Sequence, residues 1–131
     1  MTPTYRPALV AALFGALSAG APAMAHHSFS ATYHIDQQVS IKGEVVQFMF
    51  RNPHSFIQIM APDKSGQMRR FAVEWAGGGA LGRERVTSTT LKPGDKVEIM
   101  GNPGRTEADR RIRLQRIVRP SDGWRWEGEF G

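Results

Sequence analysis

Short runs of alternating apolar and polar residues, each bounded by turn-forming residues, constrain this chain more than any other feature. The first is "VSIKGEVVQFMF", residues 39–50, which places Val39, Ile41, Gly43 and Val45 on one face. Val46, Phe48 and Phe50 continue the alternation one residue out of phase. Such a slip predicts a bulge or a sharp bend, and Gly43 is a residue that permits one. "RNPH", 51–54, has the composition of a turn, and "SFIQIMA", 55–61, reads as a second strand. After the turn "PDKSG", 62–66, a third strand spans 67–76, with Phe71, Val73 and Trp75 alternating against Arg70, Ala72 and Glu74. A fourth follows at 96–101, inside "LKPGDKVEIMGNPG". In the fifth, 110–120, Ile112, Leu114 and Ile117 face inward and the arginines face water.

Between the third and fourth runs lies "GGGALGRERVTSTT", 77–90, in which "ALGRERV" has the makings of one or two helical turns. Five short strands with a short helix between strands three and four is the order of an OB-like five-stranded barrel, an all-β fold. Closure hides the strand edges that a small β-protein otherwise exposes. An open sandwich and a six-stranded barrel are the rivals that periodicity does not separate. The expected core gathers Val45, Phe71, Val73, Val97, Ile99, Ile112 and Leu114.

The first 25 residues are of another kind. "MTPTYRP" carries one positive charge, Arg6, and no acid; "ALVAALFGALSA" is apolar or small throughout; Ala23-Met24-Ala25 closes the segment. These are the three parts of a secretory signal peptide. The apolar core is shorter than the roughly 20 residues a bilayer span needs, so no stable membrane anchor is expected. Cleavage after Ala25 frees His26, and Ala21-Pro22-Ala23 offers a second site. Removing 25 of the 131 residues leaves 106, one small domain. Arg6 is the one basic residue lost of 17 and all 12 acids stay, so the mature chain keeps a charge of about +4. With no cysteine, stability must come from packing. The expected organisation is a signal peptide at 1–25, an N-terminal segment at 26–38, the barrel at 39–120 and a C-terminal tail at 121–131, in a periplasmic or secreted protein.

The chain resembles a family of uncharacterised bacterial periplasmic proteins. The resemblance lies in a signal peptide, a mature start "AHHSF" (25–29), a strand "IKGEVV" (41–46), an "NPH" turn (52–54) and a late "LKPGDKVEIMG" (91–101). It implies export and a small β-barrel and no known reaction. The tail "DGWRWEGEFG" departs from the pattern.

Four histidines are the candidate metal ligands: His26, His27, His34 and His54. A freed His26 offers an α-amine and an imidazole from one residue, a pair suited to copper or nickel. His54 sits on a turn, which holds a ligand better than a tail does. The bland alternative makes His26 and His27 a solvated tail and has His54 cap its turn or pack on Phe56. No spacing matches a closed zinc site. Gly77, Gly79 and Gly82 satisfy G-x-G-x-x-G literally, but nothing around them is βαβ, so they read as a loop.

Arg105, Arg110, Arg111, Arg113, Arg116 and Arg119 make a basic face, with Arg111 and Arg113 on one side of a strand. Export argues against a nucleic-acid partner; lipid headgroups, cell-wall polymers, an acidic protein or plain solvent remain. Trp124 and Trp126, two apart, share a face that closes the barrel, lines a ligand groove or belongs to a loose tail. Alternation turns Glu74 outward, and no nucleophile–base constellation assembles. The expectation is a binding or interaction module of unknown small ligand or protein partner, the alternative a copper- or nickel-binding protein. Intact-mass measurement of protein recovered from the exporting cell is expected to give a chain that starts at His26; a mass that still includes Met1 contradicts the leader.

Overall fold

The structure is a computed structural model and describes residues 29–131. A short helix α1 (Phe29–Thr32) leads into β1 (Val39–Met49), β2 (Ser55–Pro62) and β3 (Met68–Trp75). Then come α2 (Gly78–Arg83), β4 (Lys96–Pro103), a single 3-10 turn (Glu107–Asp109), β5 (Arg111–Arg119) and β6 (Trp124–Glu127). The five alternating runs are thus five strands, and the glycine-rich stretch holds the short helix between the third and fourth.

β1 pairs antiparallel with both β2 and β4, β2 with β3, and β4 with β5. The ring closes where β3 and β5 pair in parallel, Ala72 with Arg111, Val73 with Ile112 and Glu74 with Arg113. The circuit β1-β2-β3-β5-β4-β1 is a closed five-stranded barrel with the connectivity expected of an OB-type fold. β6 lies outside that ring and pairs antiparallel with the later half of β5, Arg116 to Arg119.

Of the expected core, Val45, Val73, Val97, Ile99, Ile112 and Leu114 are buried and Phe71 packs against them half-buried. Leu81 of α2, with Val86 and Leu91 from the chain that follows it, joins the same core. The phase slip in β1 is a bulge: Val45 pairs with Ile59 and Gln47 with Gln58, which leaves Val46 unmatched. Gly43 has a different duty from the bend expected there. A Cβ at that position would lie 2.3 Å from the Met60 carbonyl oxygen, so only glycine lets β1 approach β2 this closely. A second bulge leaves Gln115 unmatched between the pairs Met100–Arg116 and Gly101–Leu114. That extra residue brings both Leu114 and Ile117 inward although they are an odd number apart.

The two tryptophans after residue 120 belong to β6 and pack on Trp75, with ring centroids 6.3 Å away for Trp124 and 5.2 Å for Trp126. The Trp126 indole N–H donates to Glu84 Oε2 at 2.5 Å, which ties β6 to the end of α2. Arg119 bridges Asp95 and Asp122 at 2.9 Å each, pinning the turn before β4 to the one before β6.

Ile112 is 2% exposed and sits at the closing seam. Ile112→Ala is expected to cost about 2–5 kcal/mol, the range for a buried large-to-small change. Its chemical-denaturation midpoint should fall accordingly, and an unmoved midpoint contradicts the placement.

Candidate functional site

Glu74 points away from the barrel interior, as alternation with Val73 and Trp75 requires, yet its side chain is only 7% exposed. What covers it comes from three distant parts of the chain. Tyr33, fully buried and bridged to Gly104, donates its hydroxyl proton to Glu74 Oε2. Arg111 of β5 donates to the same oxygen at 2.8 Å. His54, in the turn after β1, places Nδ1 2.6 Å from Oε1. Both carboxylate oxygens are therefore occupied, as a buried acid requires. Burial first, and then the hydrogen bond to Glu74, push the Tyr33 hydroxyl well above its ordinary 10.0, so it remains a donor.

Above this cluster lies an aromatic cover. The Phe29 ring stacks on His54 at 5.6 Å between centroids and meets Phe130 edge-on at 5.4 Å. The Arg113 guanidinium sits 4.2 Å from the centre of the Phe29 ring and 5.2 Å from that of Phe130. Arg111 lies over Tyr33 and Phe56 at 5.6 Å each. The arginines expected to face water on β5 therefore divide. Arg111 and Arg113 are half-buried beneath the N- and C-terminal segments, Arg119 is half-buried between Asp95 and Asp122, and Arg116 alone of the four is exposed. Periodicity assigned their side of the strand correctly but carried no information about what covers it.

The turn that carries His54 is held from both sides. Arg51 N–H donates to Ser55 Oγ at 3.2 Å, and Gly78 N–H donates to the Arg51 carbonyl at 3.0 Å. Asn52 Oδ1 accepts from Gly79 N–H at 3.2 Å. A Cβ at Gly77 would lie 2.4 Å from the Pro53 carbonyl oxygen. The glycine run thus lets the start of α2 seat against the Asn52-Pro53 turn, a packing duty, and the nucleotide-like spacing is incidental.

Of the candidate metal ligands, His26 and His27 lie outside the described residues. His34 and His54 are held by different partners: the Arg105 guanidinium lies 3.4 Å from His34 Nδ1, while His54 belongs to Glu74 and stacks on Phe29, not on Phe56. Among the described residues no three His, Cys, Asp or Glu side chains converge as a metal site.

A groove of about 860 Å³ opens between the start of β1, the β2–β3 turn and the connection from β4 to β5. Its apolar part includes Val39, Ile41 and Phe71, and Lys64, Arg105 and Arg110 line it with positive charge, offset in part by Glu107. Asp63 also lines it but is engaged by Ser65, Gln67 and Arg69, contacts that hold its carboxyl down at about 2. Arg110 is half-buried, and among the described residues its guanidinium has no hydrogen bond or ion pair. Its backbone is committed: at φ 45° it takes the left-handed conformation, and its carbonyl accepts from Ala72 N–H at 3.0 Å.

Glu74→Ala strands the Arg111 guanidinium and the Tyr33 hydroxyl in a covered space. It is expected to cost about 3–5 kcal/mol in urea unfolding at neutral pH, as when one partner of a buried ion pair is removed. Tyr33→Phe takes away a donor and leaves none orphaned, so its cost is expected at about 0.5–1.5 kcal/mol. Equal costs for the two would contradict this arrangement.

No curated protein and no solved structure matches the chain. A family model does: it is described as a family of unknown function, DUF6152, and it covers residues 15–112, ending at the closing seam of the barrel. The chain belongs to that family.

Proposed function

We propose that this chain is an exported, periplasmic binding module whose groove takes an amphipathic anion, a phosphate or carboxylate head on an apolar body. The observation that carries the reading is Arg110, a half-buried cation without a partner among the described residues, beside an apolar surface. Partial burial of a charge is costly unless a counter-charge meets it. Asp63, the nearest acid in sequence to Lys64, is already taken. Val39, Ile41 and Phe71 offer apolar area to the body of the ligand, and the size of the groove is that of small-molecule sites. Export rests on the charged start, apolar core and Ala23-Met24-Ala25 of the leader.

A second reading, copper or nickel binding that begins with His26 and His27, is favoured by one observation. Phe29, two residues after His27, stacks on His54.

Calorimetric titration with dodecyl phosphate, kept below its micelle concentration, tests the groove. Saturable one-to-one binding is expected, weakened about tenfold or more in Arg110→Gln, the scale of one hydrogen bond to a charged group. Inorganic phosphate, lacking the apolar body, should bind more weakly than dodecyl phosphate. Equal affinities in the parent and in Arg110→Gln refute the site.

A further inference from the structure

We propose that the outer edge of β6 joins two copies of this chain, strand to strand about a two-fold axis, into one continuous sheet. The barrel closes without β6. β6 therefore pairs with β5 on one side, and among the described residues no strand pairs with its other side. The C-terminal tail does not fill that place. After Gly128 it turns back over β5, where the Phe130 carbonyl accepts from Arg113.

The main-chain groups that the edge offers follow from one bond. Gly128 N–H donates to the Gln115 carbonyl of β5 at 3.0 Å. Main-chain groups alternate between the two sides of a strand, so those of Trp126 also face β5, opposite Ile117. Those of Arg125 and Glu127 face outward. Their side chains stand on the open face, 62% and 56% exposed, while Trp126 is buried. An antiparallel second copy can match these outward groups with Arg125 opposite Arg125, with Glu127 opposite Glu127, or with Arg125 opposite Glu127. The first two registers set like charges against each other, which destabilises a cross-strand pair. The last sets opposite charges together on both sides of the axis, with Trp126 at the axis itself. In that register every outward N–H and C=O of Arg125 and Glu127 meets a partner.

Charges on a short edge strand ordinarily keep copies apart. Here opposite signs stand two residues apart, so the edge is complementary to itself, as a two-fold contact requires. Within one copy the same two side chains meet at 3.3 Å on an exposed face, a pair that stabilises little and is free to exchange. Glu127 also lies opposite Arg116 of β5, so in the pair of copies it sits between two arginines. No residue of β6 lines the groove, and both copies keep it open. The inference is therefore independent of what the groove binds.

The test is sedimentation velocity of the full chain from about 10 μM to about 1 mM, the range in which weak contacts form. A reversible monomer–dimer equilibrium is expected. Arg125→Glu and Glu127→Arg each set like charges together on both sides of the axis and are expected to lose about tenfold or more in dimer affinity. An equimolar mixture of the two variants puts the acids of one opposite the arginines of the other. It is expected to dimerise more tightly than either variant alone, a gain that a merely misfolded strand does not give. Unchanged tryptophan fluorescence verifies that β6 stays packed on Trp75 in each variant. A parent that remains monomeric to about 1 mM overturns the proposal. So does a single variant that dimerises as tightly as the parent, or a mixture no tighter than its components.

Discussion

Three parallel residue pairs, Ala72–Arg111, Val73–Ile112 and Glu74–Arg113, hold the rest of the molecule together. Without them the strands form an open sheet with two long edges, and the apolar faces of β3 and β5 have no common interior. Side chains alternate across a strand, so the same three pairs that close the core also build its opposite face. Val73 and Ile112 go inward, while Glu74, Arg111 and Arg113 go outward. The charged cluster is therefore fastened to the seam. The carboxylate and guanidinium that face each other across it work with the main-chain bonds of the closure, and His54 and Tyr33 complete the satisfaction of the acid.

Much of this architecture is legible in the order of residues. Alternation places Val45, Val73, Ile99 and Ile112 in one interior because a barrel has only one inside to which apolar positions can turn. The phase slip after Val45 is legible for the same reason: two successive valines cannot both belong to one period-two pattern. The site is another matter. Alternation states that Glu74 leaves the interior, but a strand pattern does not distinguish a wet outer face from a covered one. The cover comes from Phe29, Tyr33 and Phe130, residues near the two ends whose spacing follows no period. A cue existed in the composition of β3 and β5, where an acid and two arginines stand at outward positions flanked by large apolar residues. Pairing them required the parallel register, which no local pattern encodes.

Two kinds of cation emerge from one basic composition. Arg111, Arg113 and Arg119 are structural, engaged with Glu74, with the aromatic cover and with Asp95 and Asp122. Arg110, their neighbour in sequence, is held by its backbone, and among the described residues its side chain is uncommitted beside the groove. One residue of separation moves a guanidinium from the internal satisfaction of the fold to the lining of an open groove. Counting positive charge therefore says little about this protein's partners, and the company each arginine keeps says much more.

The separations along the chain around Glu74 carry a temporal consequence. Tyr33 is 41 residues before it and Arg111 is 37 after it, and Phe130 comes at the far end of the described chain. A growing polypeptide that has emerged only as far as β4 has its four antiparallel strands but neither the parallel seam nor the cation that balances Glu74. Pairing across such separations costs more loop-closure entropy than forming a hairpin does. The face around His54 is accordingly the last part of the described barrel to be assembled.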